Sequence, residues 1–187
     1  MFVAGIAAAI MLRGRWTKEL PEGRQSAARA SAPERLLMAL YFVGLVVLPA
    51  AFILSSVLDF ANYQLPGWAR TLGGVVFLAG VWLLDQSHRD LGKNWTAGLE
   101  VTEGHTLVTA GSFSRIRHPM YAAHWLMALG QLLLLPNWLA GVGSLVTFAP
   151  LYLLRVQQEE AMLLAHFGDP YREYMKHTGR VLPRVGK

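Results

Sequence analysis

No cysteine occurs among the 187 residues. That excludes a disulfide framework, a thiolate nucleophile and a Cys-ligated zinc site, and no metal is expected. Charge is scarce too: 16% of the residues are Asp, Glu, Lys or Arg, against about a quarter in ordinary soluble domains. The charges cluster, leaving long uncharged runs between them, and 53% of the residues are apolar. This pattern implies an integral membrane protein. A net charge of +5 would point to nucleic acid in a soluble chain. Here membrane topology explains it, and no nucleic-acid partner is expected. Internal repeats and low-complexity tracts are also missing.

Phe2 to Leu12 is apolar but only about 16 Å long as a helix. It lacks the basic opening and the cleavage signature of a secretory signal, so a short or partly interfacial first span is expected. Arg13 to Arg35 follows as a basic loop containing Pro21 and Gly23. Leu36 to Leu58 has no formal charge and is about 34 Å long as a helix, enough to cross a bilayer. Pro49 lies inside it and predicts a kink. Asp59 to Gly67 reads as a short turn, and Trp68 to Leu84 as the next span, with Trp68 and Arg70 as interfacial anchors. Pro119 to Leu135 and Trp138 to Leu154 are two further spans. Only Pro136-Asn137 separates them, which predicts a tight antiparallel hairpin.

Five spans place the basic residues consistently. Arg13–Arg35 carries six Lys and Arg, the 86–118 segment four and the chain from Arg155 onward six, with Arg70 the remaining one of 17. All three basic segments then share one face, which the positive-inside rule makes cytoplasmic. The expected architecture is an all-α integral membrane protein of about five transmembrane helices, forming one domain over 1–187. Residues 92–111 read as a Gly/Thr-rich loop with a short extended piece around Thr106–Val108. From Arg155, helical periodicity continues to about Phe167, and a second short helix follows Gly168-Asp169-Pro170.

The chemistry concentrates where polar segments meet these spans. Pro119 lacks an N–H and has φ preset for a helix, so it suits the first turn of a helix beginning there. His118 then falls at the cap, and Arg115, Arg117 and His118 crowd a helix mouth that attracts anions. Tyr121 is three residues on and can share a cleft with His118. His124, three further, is an ionisable group inside a span, where such groups are costly and often functional. Arg155 and Glu159 are four apart on one helical face, with Glu160 rotated by about 100°. Taken singly, these features suit a basic membrane-flanking turn, a satisfied buried histidine and a solvated ion pair. Their combination on one side of a small bundle points to a ligand site.

Residues 105–121, His-Thr-Leu-Val-Thr-Ala-Gly-Ser-Phe-Ser-Arg-Ile-Arg-His-Pro-Met-Tyr, resemble the cofactor motif of the isoprenylcysteine carboxyl methyltransferases and their phospholipid-methyltransferase relatives. Glu159-Glu160, His166-Phe167-Gly168, Tyr171 and Tyr174 are similar to that family's C-terminal signature, as is Arg180-Val181-Leu182-Pro183. The resemblance covers roughly 70–185. It implies a methyltransferase core over 70–187, preceded by variable spans and a basic loop over 1–70. It also implies S-adenosylmethionine as cofactor, held without a Rossmann domain, and the chain has no G-x-G-x-x-G fingerprint. By motif position, His105, Thr106, Leu107, Val108, Phe113, His118, Pro119, Met120 and Tyr121 would surround the cofactor. Glu159 would hold its polar end, and Arg155 would be the catalytic residue facing the acceptor. The pocket would be cytoplasmic, formed by the 88–118 loop, the last hairpin and the C-terminal helices.

Aromatics such as Phe113 and Tyr121 suit a sulfonium cation; backbone donors near the helix start, or Arg117, suit the cofactor's carboxylate. The expected partners are the lipid bilayer and a lipophilic or prenylated acceptor. Tyr121 is followed by Ala122-Ala123 where eukaryotic members tend to have a glycine nearby, and Gln157-Gln158 replaces a longer acidic run. These departures bear on the acceptor more than on the cofactor. Carboxylate, phospholipid amine and small thiol therefore stay open as nucleophiles. Two other functions share parts of the pattern: an NADPH-dependent sterol-type reductase, and a non-catalytic scaffold whose basic loops bind anionic lipid.

Overall fold

The computed structural model describes residues 2–18, 30–96, 98 and 104–184. The middle of the basic Arg13–Arg35 segment and part of the 92–111 loop, Thr102 included, lie outside the described residues. Within them the chain is helical, without a strand. The extended piece expected around Thr106–Val108 is irregular loop.

Helix α1 (Phe2–Lys18) runs past the apolar stretch, so Arg13 and Arg15 are helical rather than part of a loop. Its Phe2 ring meets Phe77 edge-on at 5.5 Å, and Trp16 stacks on His88. Helix α2 (Ala32–Phe42) starts where Ser31 Oγ accepts from Glu34 N, with proline in the first turn. It continues through one π-helical turn, Val43–Val47, into α3 (Leu48–Leu54). That π turn lies just ahead of Pro49. It is the form taken by the expected kink, because a wider turn accommodates a residue that lacks an N–H. The Gly44 carbonyl within it accepts from Gln131 Nε2 at 2.9 Å.

Helix α4 (Gly67–Leu91) packs against α5 (Pro119–Leu134) over most of its length. Close approach depends on missing side chains: a Cβ at Gly130 would fall 2.6 Å from Phe77 N, and one at Gly80 2.8 Å from the Ala123 carbonyl. Phe77, Ala123 and Met127 are buried at this seam. Among the described residues, two continuous helical stretches, Ala32–Leu54 and Gly67–Asn94, are long and apolar enough to cross a membrane, with mean hydropathies of 2.5 and 1.4.

The last hairpin differs from expectation. Helix α6 (Gly143–Phe167) begins five residues later than the apolar run. Residues 135–142 form its turn, although Trp138, Leu139, Ala140 and Val142 are apolar. Asn137 organises that turn. Its Nδ2 donates to Leu58 O at 2.6 Å and Asn62 Oδ1 at 2.8 Å, and its Oδ1 accepts from the amides of Leu139 and Ala140. The α3–α4 and α5–α6 connections are thereby tied together at one end of the bundle. At the other end α6 turns at Gly168, whose φ of +60° favours glycine, into α7 (Asp169–His177). Both tail helices match the sequence expectation.

Candidate active site

Pro119 occupies the first turn of α5 and His118 its cap position, as the sequence predicts. The imidazole does not cap the helix. It points to α6 instead, with Nε2 3.3 Å from Glu160 Oε1 and Nδ1 3.7 Å from Glu159 Oε1. The backbone amides of Arg117 and His118 bond the carbonyls of Gly179 and Arg180 at 2.8 and 2.9 Å. The Arg117 guanidinium bonds Glu160 and the Thr178 carbonyl. The expected anion-binding mouth is therefore closed by the chain's own tail, and Arg117 is not free to hold a ligand's carboxylate. The sequence could not show this, because the partners lie about sixty residues away.

Successive positions on α6 separate the two acids. Glu160 turns toward the tail, where Arg117 Nε and Nη2 each lie 3.0 Å from Oε1, and Arg180 Nη2 lies 2.7 Å from Oε2. Burial alone would raise its carboxyl, but the bonds from His118, Arg180 and Arg117 outweigh it and bring the pKa down to about 2. Glu159 faces α5 and accepts from the Tyr121 hydroxyl at 2.7 Å. It too stays below the ordinary carboxylate range, since the nearby His118 and the bond from Tyr121 overcome desolvation. For His118, burial opposes the charged form, yet bonds to Glu159 and then Glu160 raise its pKa.

Around Tyr121 stands an aromatic cluster. Its ring centroid lies 5.5 Å from His118, 5.6 Å from Tyr152 and 6.5 Å from Phe148. Trp125 abuts Phe148 and Tyr152, and Tyr41 of α2 abuts Phe148. Sequence reasoning missed Tyr41, Trp125, Phe148 and Tyr152. The four-residue spacings Tyr121/Trp125 and Phe148/Tyr152 were the available signal. His124 is a satisfied, half-buried histidine, with Nδ1 3.0 Å from Tyr41 Oη.

Arg155 does not pair with Glu159 along its helix. Its Nη1 lies 3.2 Å from Glu34 Oε1 and 3.6 Å from Met38 Sδ, both on α2. Its charge also acts on Tyr121 and Glu159, so Glu34, Arg155, Tyr121, Glu159 and His118 lie in one polar neighbourhood. His105 to Val108 are loop residues tethered where Thr106 N donates to Asn94 Oδ1 at 2.8 Å. Phe113 is buried in a 3-10 turn (Gly111–Ser114), and its carbonyl accepts from Tyr174 Oη at 2.6 Å. Asp90 fixes that turn by accepting from Ser112 N at 2.7 Å. The structure thus gathers His118, Tyr121, Glu159 and Arg155 into one network.

The Isoprenylcysteine carboxyl methyltransferase (ICMT) family model matches residues 73–165. Protein-S-isoprenylcysteine O-methyltransferase of Xenopus laevis is 32% identical over 120 residues, covering 63% of this chain and 42% of the relative. The Homo sapiens protein of that name is 30% identical with the same coverage. Protein-S-isoprenylcysteine O-methyltransferase A of Arabidopsis thaliana is 24% identical over 80% of this chain and 77% of its own length. The chain therefore spans under half of the two animal proteins. The solved structure of the eukaryotic intramembrane Ras methyltransferase ICMT superposes with a TM-score of 0.60 at 20% identity, covering 93% of this chain and 60% of the other. The match over 73–165 contains the Arg-His-Pro turn, most of both hairpin helices and the paired acids, and over that segment this chain resembles the isoprenylcysteine carboxyl methyltransferase family.

Proposed function

We propose that this chain is a membrane methyltransferase that moves the S-methyl group of S-adenosylmethionine to the carboxylate of an isoprenylcysteine-like, lipid-like acceptor. One observation carries the proposal: the half-buried Glu159 carboxylate lies beside His118 and Tyr121 at the edge of an aromatic cluster. Those groups fit the cofactor's chemistry. Glu159 would accept hydrogen bonds from its ammonium, and the rings of Tyr121, Phe148 and Tyr152 would face its cationic end. His105 to Val108, Phe113 and His118 to Met120 would complete the surround. When bound, the cofactor supplies an electrophilic methyl group on a positively charged sulfur.

The choice of a carboxylate rests on acid–base chemistry. An amine or thiol acceptor must lose a proton, which calls for a base titrating near neutrality. His118 faces an acid with each ring nitrogen and is held toward its protonated form. Glu159 and Glu160 are held below the usual carboxylate range. None of the three is set up to take a proton. A carboxylate brings its own lone pair, so positioning and exclusion of water suffice. Arg155 would orient it, and the acceptor's apolar tail would enter from the bilayer between helices. In this arrangement five spans put the site on the cytoplasmic face with all three basic segments.

The test is a methyl-transfer screen with purified protein, labelled S-adenosylmethionine, and carboxylate, amine and thiol acceptors of matched prenyl chain length. Transfer to the carboxylate alone is expected, with cofactor binding lost in Glu159→Gln. Absence of cofactor binding at several hundred micromolar, or preference for the amine, would overturn the proposal.

A further inference from the structure

Glu34 sits on α2, outside the 73–165 segment that the family model matches. Its carboxylate nevertheless crosses to α6 and ends 3.2 Å from Arg155 Nη1. The two side chains are only 8% and 15% exposed, so the pair is withdrawn from water. A charged side chain so placed near the bilayer edge is costly unless it has a task. The position is well fixed. Ser31 caps the helix at Glu34 N, and Met38, one turn on, touches the same Nη1.

A guanidinium has more than one edge able to grip a carboxylate with two parallel N–H donors. Glu34 and Met38 hold Arg155 by Nη1. On the opposite edge, Nε is buried and has no hydrogen-bond partner among the described residues. A buried donor left open in this way calls for an acceptor from elsewhere. We propose that Glu34 is a positioning residue for methyl transfer. It fixes Arg155 by its Nη1 end so that the Nε edge is presented to the acceptor's carboxylate. The first membrane-crossing stretch outside the matched segment would then align the acceptor, and differences there would tune which acid-bearing lipid is methylated. This inference rests on the reading of Arg155 as the acceptor-facing residue.

The experiment is a double-mutant cycle of Glu34→Ala and Arg155→Ala, measuring acceptor kcat and KM and, separately, cofactor Kd. Misplacement of a reacting group by about 1 Å costs on the order of 100-fold. Glu34→Ala is therefore expected to lower kcat/KM for the acceptor roughly 10- to 100-fold while cofactor Kd stays within about twofold. The double variant should be no worse than Arg155→Ala, because Glu34 acts only through that side chain. Glu34→Gln keeps the shape and an accepting oxygen, and should fall between wild type and Glu34→Ala. If Glu34→Ala fails to fold, Glu34→Gln replaces it in the cycle, with the same non-additivity expected. Additive losses, or an unchanged kcat/KM in both Glu34 variants while Arg155→Ala is impaired, would overturn the role of Glu34 alone. An unimpaired Arg155→Ala would overturn the acceptor-facing role of Arg155 and this inference with it.

Discussion

Replacing Glu160 by alanine tests the clasp between α6, the Arg-His-Pro turn and the tail. The side chain is 8% exposed and bonds the Arg117 and Arg180 guanidiniums and the His118 ring. Arg117 is 9% exposed and His118 2%, so alanine strands Arg117 without an anion and leaves His118 only the more distant Glu159, whereas the half-exposed Arg180 returns to water. Breaking a buried pair by removing one partner costs about 3–5 kcal/mol, and Arg180 adds less than about 1 kcal/mol because solvent screens it. For a chain of this size that corresponds to roughly 6–20 °C in Tm, read by thermal unfolding in detergent. The effect also has a pH signature. The folded carboxyl titrates at about 2, below its ordinary 4.5, so its contribution is complete above 4.5 and fades as pH falls toward 2. His118 behaves oppositely: with a raised pKa, its contribution is complete below 6.5 and is lost as pH rises through the folded value. Glu160→Ala should therefore flatten the acid limb of the stability profile. Arg180→Ala is the control, expected to cost under about 1 kcal/mol. Equal, small losses in the two variants would refute the argument that burial, rather than bond number, sets the cost.

Asn137→Ala removes four hydrogen bonds made by a fully buried side chain and should cost more than about 2 kcal/mol by the same unfolding assay. Gly130→Ala pushes a methyl group into the Phe77 backbone and should destabilise by about 1–3 kcal/mol; an unchanged Tm would deny the close α4–α5 contact. Tyr121→Phe deletes the bond to Glu159 and should weaken S-adenosylmethionine binding by about 1.5–3 kcal/mol, measured by equilibrium binding. Because the chain has no cysteine, single cysteines at Phe60 and Arg172 report sidedness directly. An impermeant maleimide should label them from opposite faces of intact vesicles.

Much of this was legible in the sequence where a residue's local chemistry is decisive. Pro119 announces the start of α5, Gly168 its corner between α6 and α7, and the uncharged runs mark most of the long helices. Local rules failed where a distant partner decides. The apolar residues 138–142 look like a span, but the buried Asn137 amide bends them into a turn by reaching Leu58 and Asn62 in the α3–α4 connection. Arg155 and Glu159 have ideal spacing for each other, yet each finds its strongest partner on another helix. The aromatic cluster around Tyr121 draws on α2, α5 and α6, so no single window contains it. Arg13 and Arg15 extend α1 because arginine is a good helix former, even though their charge suggests loop.

The pairing of the Arg117 and His118 amides with Gly179 and Arg180 also has a consequence for biosynthesis. The hairpin bearing the Arg-His-Pro turn leaves the ribosome some sixty residues before its clasp does. In the half-finished chain the Arg-His-Pro turn lacks the tail carbonyls that its amides bond in the complete fold. The latch can form only once translation delivers Gly179 and Arg180, and a break introduced near residue 175 should release it.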